Sequence, residues 1–255
     1  MLFGPPSAVR RASVVIVCAC AVLTSACAGR GVFKPEFEYE EELYLALDGS
    51  ATLNVNASVA SLVALRGFAL DPNPRARLDR EAVRALFQGP GADVSKVSLS
   101  RRDGRRVVHL SIQVADVRRL AMLAPFAWSS YRFDRQGDVI EFRQVIGPSA
   151  GKQVDAGWTG QEVVAFRMHL PSEIPFHNSR AGVQRGNILE WEQPLVERLK
   201  GAPLDMQVHL EPESILYTTL LLFGSTVVVA AIAFALLIWW VARRGRQGEM
   251  AESRS

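Results

Sequence analysis

Residues 37–59 read FEYEEELYLALDGSATLNVNASV. Tyr39, Leu43, Leu45 and Leu47 fall on one side of an extended chain. Asp48-Gly49 then signals a turn, and Leu53, Val55, Ala57 and Val59 resume a period of two. Asn54, Asn56 and Ser58 take the opposite side. Two such runs around an Asp-Gly pair predict a β-hairpin with one buried face. The pattern recurs at 94–100 and 106–114 around Asp103-Gly104, and at 130–134 and 138–146 around Gln136-Gly137. Glu36, Glu38, Glu40, Glu41 and Glu42 are expected along a solvent-facing strand edge.

Short helices fit between the hairpins. Asp79 is placed as an N-cap with Leu78 and Val83 as a staple. Val83, Leu86 and Phe87 form an apolar face, and Gly89-Pro90 stops the turn. A second helix is expected from Asp116, with Val117, Leu120 and Leu123 inward, ending before Pro125. Residues 147–160 are rich in Gly and polar side chains and read as a loop. Further strands are expected at 162–170, 187–192 and 204–210. Hairpins with interspersed helices imply an α+β fold: an antiparallel, β-rich domain with two or three short helices.

Both ends of the chain are apolar. Ile215 to Val241 contains no charged residue in 27 positions. As a helix at about 1.5 Å per residue it reaches roughly 40 Å, enough to cross a hydrocarbon core of roughly 30 Å. Tyr217, Trp239 and Trp240 sit near its ends, and Arg243, Arg244 and Arg246 follow, which predicts a cytoplasmic tail. At the other end, Arg10 and Arg11 precede an apolar run closed by small residues, the layout of a secretory signal. The segment Leu23-Thr24-Ser25-Ala26-Cys27 is similar to a bacterial lipobox, which makes Cys27 the candidate lipidation site. Ordinary cleavage after Ala26 or Ala28, or an uncleaved anchor, are the alternatives. The expected organisation is a signal peptide of lipoprotein type at 1–27, an extracytoplasmic α+β domain at 28–213, a transmembrane helix at 214–242 and a cytoplasmic tail at 243–255. The protein is thus expected in a bacterial cytoplasmic membrane, crossing it once, with its C-terminus inside. Cys18, Cys20 and Cys27 all precede the domain, so packing alone must hold it together.

The chain carries a formal charge of +3. Its ends account for six arginines against two glutamates, which leaves the domain near −1 and argues against a nucleic-acid binder. Arg101, Arg102, Arg105 and Arg106 flank the Asp103-Gly104 turn. They read as a solvated turn, with contact to anionic lipid headgroups as the functional alternative. Apolar residues beyond what alternation needs occur at 62–65 and 120–128. Most are expected in the core. Leu62, Leu65, Leu120, Met122, Phe126 and Trp128 are the candidates for an apolar groove that takes an acyl chain.

Motifs for catalysis are weak. Gly147-Pro148-Ser149-Ala150-Gly151 matches G-x-S-x-G, but no apolar helix follows it, as a nucleophile elbow requires. His169, Glu173 and His177 are spaced like zinc ligands on a helix, but Pro171 and Pro175 interrupt them. His109 and His209 read as ordinary sheet residues. No phosphate loop, dinucleotide fingerprint or cofactor motif is present, so no catalytic residue, metal or cofactor is expected.

One set of positions carries a family resemblance. Val163-Val164-Ala165-Phe166 leads into Leu170-Pro171, then Asn178, then Gly186-Asn187-Ile188-Leu189-Glu190-Trp191, with Asp116 and Leu120 upstream. With the lipobox-like signal and the C-terminal span, this layout resembles the LppM-type envelope lipoproteins of bacteria. The chain departs from them in its lipobox and in lacking a Gly after Pro171. The resemblance implies an anchored envelope domain that handles or contacts lipid, and it carries over no catalytic residue. The expected function is non-enzymatic binding of a membrane lipid or other envelope component, or, as the alternative, a scaffold for a membrane protein partner.

Overall fold

The computed structural model describes residues 37–252; the signal segment and Cys27 lie outside them. The three hairpins form as the turns predict. β1 (Phe37–Leu45) pairs antiparallel with β2 (Ala51–Ser58), Leu43 opposite Leu53. β3 (Ala92–Arg102) pairs with β4 (Arg105–Val114), and β5 (Ser129–Gln136) with β6 (Val139–Ile146). Asp103 and Gly104 both take positive φ, at 49° and 75°, as a tight hairpin turn demands.

The strands form two sheets rather than one. β7 (Val163–His169) and β9 (Ile188–Pro194) complete a six-stranded sheet in the order β3-β4-β2-β1-β7-β9. β8 (Phe176–His177) and β10 (Leu204–Leu210) join the third hairpin in a four-stranded sheet, β5-β6-β10-β8. All pairs are antiparallel except β1 with β7, which run parallel. β1 is therefore a central strand, and the acidic stretch is no solvent-facing edge: Glu38 and Glu41 are buried. A register shift between Phe37 and Tyr39 lets β1 turn Glu38 inward.

Helix α1 (Val59–Arg66) occupies residues that alternation assigns in part to a strand. Ser58 Oγ caps it by accepting the Ser61 amide at 2.9 Å, and Gly67, at φ 70°, closes it. Seven consecutive residues, Val59 to Leu65, are buried. A helix buried all round leaves no amphipathic period to read. α2 (Arg80–Phe87) starts at its Asp79 cap as expected and buries Val83 and Phe87. The expected helix after Asp116 is instead a 3₁₀ turn (Val117–Met122), followed by a shorter one at Ala124–Phe126. α3 (Leu195–Leu199) follows β9 directly. Both sheets and the helices feed one continuous apolar core.

α4 (Ile215–Glu252) contains, among the described residues, the one helix long and apolar enough to cross a membrane, at Ile215–Trp240. The helix runs on beyond residue 242. Its large apolar side chains from Ile215 to Trp240 are exposed. Its first residue and the segment before it are tied to the loop after β7: Ile215 N donates to Pro171 O at 3.1 Å, and Glu211 N to Glu173 O at 3.0 Å. α4 thus leaves the domain at the end of the sheet where β1 and β7 finish.

Candidate functional site

β1 alternates Tyr39, Glu41, Leu43 and Leu45 toward the core, so Glu41 occupies an inward position. An ion there costs several kcal/mol unless paired. Arg66, the last residue of α1, supplies the partner: Nη2 lies 2.5 Å from Glu41 Oε1, with both side chains almost fully buried. Tyr39 Oη donates to the same carboxylate oxygen and accepts from Arg66. Burial pushes the Tyr39 phenol well above its ordinary pKa, so it keeps its proton for that bond. Gln144, from β6 of the other sheet, reaches Glu41 Oε2 at 3.5 Å and Tyr131 Oη at 3.3 Å. The cluster therefore bolts one sheet to the other.

Two guanidinium groups approach the Trp128 ring. Arg66 sits 3.2 Å above its ring centroid and Arg198 sits 5.3 Å away. Arg198 is wholly buried and faces main-chain and amide oxygens, donating to Gly147 O and to Gln193 Oε1. Burial lowers its pKa, and Arg66 adds to the effect.

A third group holds the end of the domain where β1 begins. Glu38 accepts from Ser58 Oγ at 2.5 Å, Arg105 Nη1 at 2.6 Å and Trp158 Nε1 at 3.1 Å. Burial opposes ionisation of Glu162 nearby. The amides of Thr159 and Gly160 outweigh it and hold that carboxyl below its ordinary range.

These contacts fix the walls of a groove of about 400 Å³ between α1, α3 and the 147–158 loop. Its floor is tight: Ala150 N donates to Leu65 O at 3.2 Å, and a Cβ on Gly151 would lie 2.0 Å from Ala64 O. Val154, Trp158, Val196 and Leu199 make the lining apolar. Lys152 and Lys200 also line it, two of only four lysines in a chain with 25 arginines. Among the described residues no carboxylate lines the groove.

The outer face of the six-stranded sheet carries a polar row with one residue from each strand. Ser100 Oγ meets His109 Nε2 at 2.7 Å, and His109 Nδ1 meets Asn56 Oδ1 at 2.8 Å. Asn56 Nδ2 donates to Glu40 at 3.1 Å, and Arg167 joins Glu40 to Glu190. The directions are forced from one side. A carboxylate only accepts, so Asn56 turns its amide nitrogen to Glu40 and its oxygen to His109. His109 must then donate from Nδ1. Burial, with Arg102 adding, holds its pKa below the ordinary 6.5, so neutral Nε2 accepts from Ser100. The Ser-His-Asn part has the connectivity of a nucleophile relay. Ser100 is exposed, however, and the row continues across three more strands as a lattice that fixes register.

The residues named from sequence do not assemble as expected. Leu62, Leu65, Leu120 and Phe126 are core side chains, Trp128 is half-buried beside its arginines, and Met122 is 81% exposed. None of the six lines the groove described above. The turn arginines divide: Arg101 and Arg102 are exposed, while Arg105 and Arg106 turn inward, Arg105 to Glu38 and Glu162 and Arg106 to Asp71 O. Ser149 Oγ contacts Leu199 O at 3.4 Å, as one wall of the groove. His169 pairs with Glu42 at 2.7 Å and stacks on Tyr44. Among the described residues no group of His, Cys, Asp or Glu is arranged to hold a metal. Sequence reading missed Lys152, Lys200, Arg66 and Arg198. Glu41, a charge in phase with an apolar face, was the available signal for a buried cation.

No family model and no curated protein matches the chain. Among solved structures it is similar to the folded domain of LppM from Mycobacterium tuberculosis, determined by NMR. The match covers 72% of this chain and 95% of that one, at 12% sequence identity and a TM-score of 0.41.

Proposed function

We propose that this chain is a membrane-anchored extracytoplasmic domain that binds a lipid with an anionic headgroup in the lysine-rimmed groove, without catalysing a reaction. The observation that carries the reading is the lining itself: apolar side chains for an acyl chain, two ammonium groups for an anion, and no carboxylate to repel it. Its volume, about 400 Å³, falls in the ordinary range for a small-molecule site. α4 supplies the anchor, and the arginines that follow its apolar stretch favour a cytoplasmic C-terminus.

The test is native mass spectrometry of the full chain released from its own membrane in mild detergent. A bound anionic lipid of defined mass is expected. Val196→Asp places a carboxylate on an exposed lining position, and Lys152→Glu reverses one ammonium. Each should reduce occupancy by about tenfold, the worth of one charge-assisted contact. If wild type carries no lipid, or both variants carry the same lipid equally, the reading fails.

A further inference from the structure

The β3–β4 turn lies beside the segment that leads into α2. There Arg75, Arg77, Leu78, Leu99, Arg101 and Arg106 border a depression of about 460 Å³, together with Ser100, and no carboxylate lines it. Arg75, Arg77 and Arg101 are exposed and make no ion pair among the described residues. Arg106 differs from them. It is only 8% exposed, and Nη2 donates to Asp71 O. Its Nε and Nη1 are buried with no hydrogen-bond partner among the described residues. Asp71 and Asp155 border the separate depression on its other side. Four guanidinium groups around one hollow repel one another, and a buried guanidinium with unmet donors is an unusual expense for a fold.

We propose that this depression binds a phosphate-bearing ligand, with Arg75, Arg77 and Arg101 at its mouth, Arg106 in its wall, and Leu78 and Leu99 beside them for an apolar portion. Guanidinium groups match phosphate oxygens with several N–H donors in a fixed plane. The site shares no lining residue with the lysine-rimmed groove and stands whether or not that groove is occupied.

The experiment uses the full chain in nanodiscs of phosphatidylcholine alone, titrated calorimetrically with inorganic pyrophosphate and, separately, with dihexanoyl phosphatidic acid. The comparison protein is Arg75→Ala/Arg77→Ala, in which both changed side chains are exposed, so the core is untouched. Saturable pyrophosphate binding that weakens by about tenfold or more in the double variant is expected, the loss of at least one charge-assisted contact. Saturation by the lipid analogue alone, weakened in the same way, supports the site and identifies its source as a headgroup. If neither probe saturates, or the double variant binds as tightly as wild type, the proposal is overturned. Val196→Asp should leave this binding unchanged, which separates its failure from that of the groove.

Discussion

Arg66→Met tests the account of the core directly. It removes the cation that touches Glu41 and the donor to Tyr39, and it leaves a carboxylate that is 5% exposed with the neutral donors Tyr39 and Gln144 but no counter-charge. Stripping one partner from a buried pair costs about 3–5 kcal/mol. In a domain of this size each kcal/mol moves the melting temperature by about 2–4 °C, so the midpoint should fall by roughly 6–20 °C. Arg143→Met is the control. Its pair with Asp205 is as short, at 2.6 Å, but both side chains are more than two-fifths exposed. A pair in that setting contributes about 0–1 kcal/mol, so its midpoint should move by no more than about 4 °C. Glu41→Gln in the Arg66→Met background should recover part of the loss, because a neutral amide needs no counter-charge. The assay is thermal unfolding of the full chain in mild detergent, followed by circular dichroism. Equal shifts for Arg66→Met and Arg143→Met would refute the claim that burial makes the first pair different.

Four other outcomes follow from the same geometry. His109 has its folded pKa depressed below 6.5, first by burial, so the unfolded chain binds the proton more readily. Stability should therefore fall as pH drops from 6.5 through the folded value, and His109→Gln should flatten that part of the pH profile. Ser100 should stay unlabelled by a fluorophosphonate probe; labelling there that His109→Gln abolishes would overturn the non-catalytic reading. Gly151→Ala drives a Cβ to 2.0 Å from Ala64 O, a main-chain atom that cannot rotate away, so the groove floor should open and lipid occupancy should drop in native mass spectra. In intact cells, a cysteine at Gln247 should resist a membrane-impermeant maleimide while one at Lys152 reacts; the reverse pattern would invert the proposed orientation.

The hairpins were legible because each is a local object: a period of two, a turn dipeptide, a second period of two. Asp48-Gly49, Asp103-Gly104 and the Gly137 turn all sit where the sequence put them. What stayed hidden is non-local. The parallel pairing of β1 with β7 joins residues more than a hundred positions apart, and no turn marks it. That pairing makes β1 central, which in turn buries Glu41 and draws in Arg66. The 62–65 run misled for a related reason. Its excess of apolar side chains was real, but it belongs to a helix that α3 and three strands enclose, so it became floor and core rather than an acyl groove. The groove was illegible because its residues come from three separate segments, and neither Lys152 nor Lys200 stands out in its own neighbourhood.

The position of the anchors bears on what the binding end can reach. The groove and the arginine turn both lie toward the end of the six-stranded sheet where β1 begins, whereas α4 leaves where β1 finishes. Nine residues of β1 separate the two ends by roughly 30 Å at about 3.3 Å per residue. Held by α4 alone, the domain is free to stand with its binding end away from the bilayer. Ten residues lead from Cys27 to Phe37, a reach of at most about 35 Å. If Cys27 is acylated into the same bilayer, that reach still spans the length of β1, so the second anchor lets the domain stand but tethers its binding end within about 35 Å of the bilayer, where it can also lie with its strands along the membrane. Arg75, Arg77 and Arg101 would then be brought toward the headgroups. The state of Cys27 thus biases the choice between a domain that meets lipid at the surface and one that holds lipid clear of it. Intact mass of the mature chain, paired with quenching of Trp158 by brominated lipid in wild type and Cys27→Ala, separates the two. Quenching that requires Cys27 supports the lying arrangement. An acylated chain whose quenching Cys27→Ala leaves unchanged would break the link argued here between acylation and orientation.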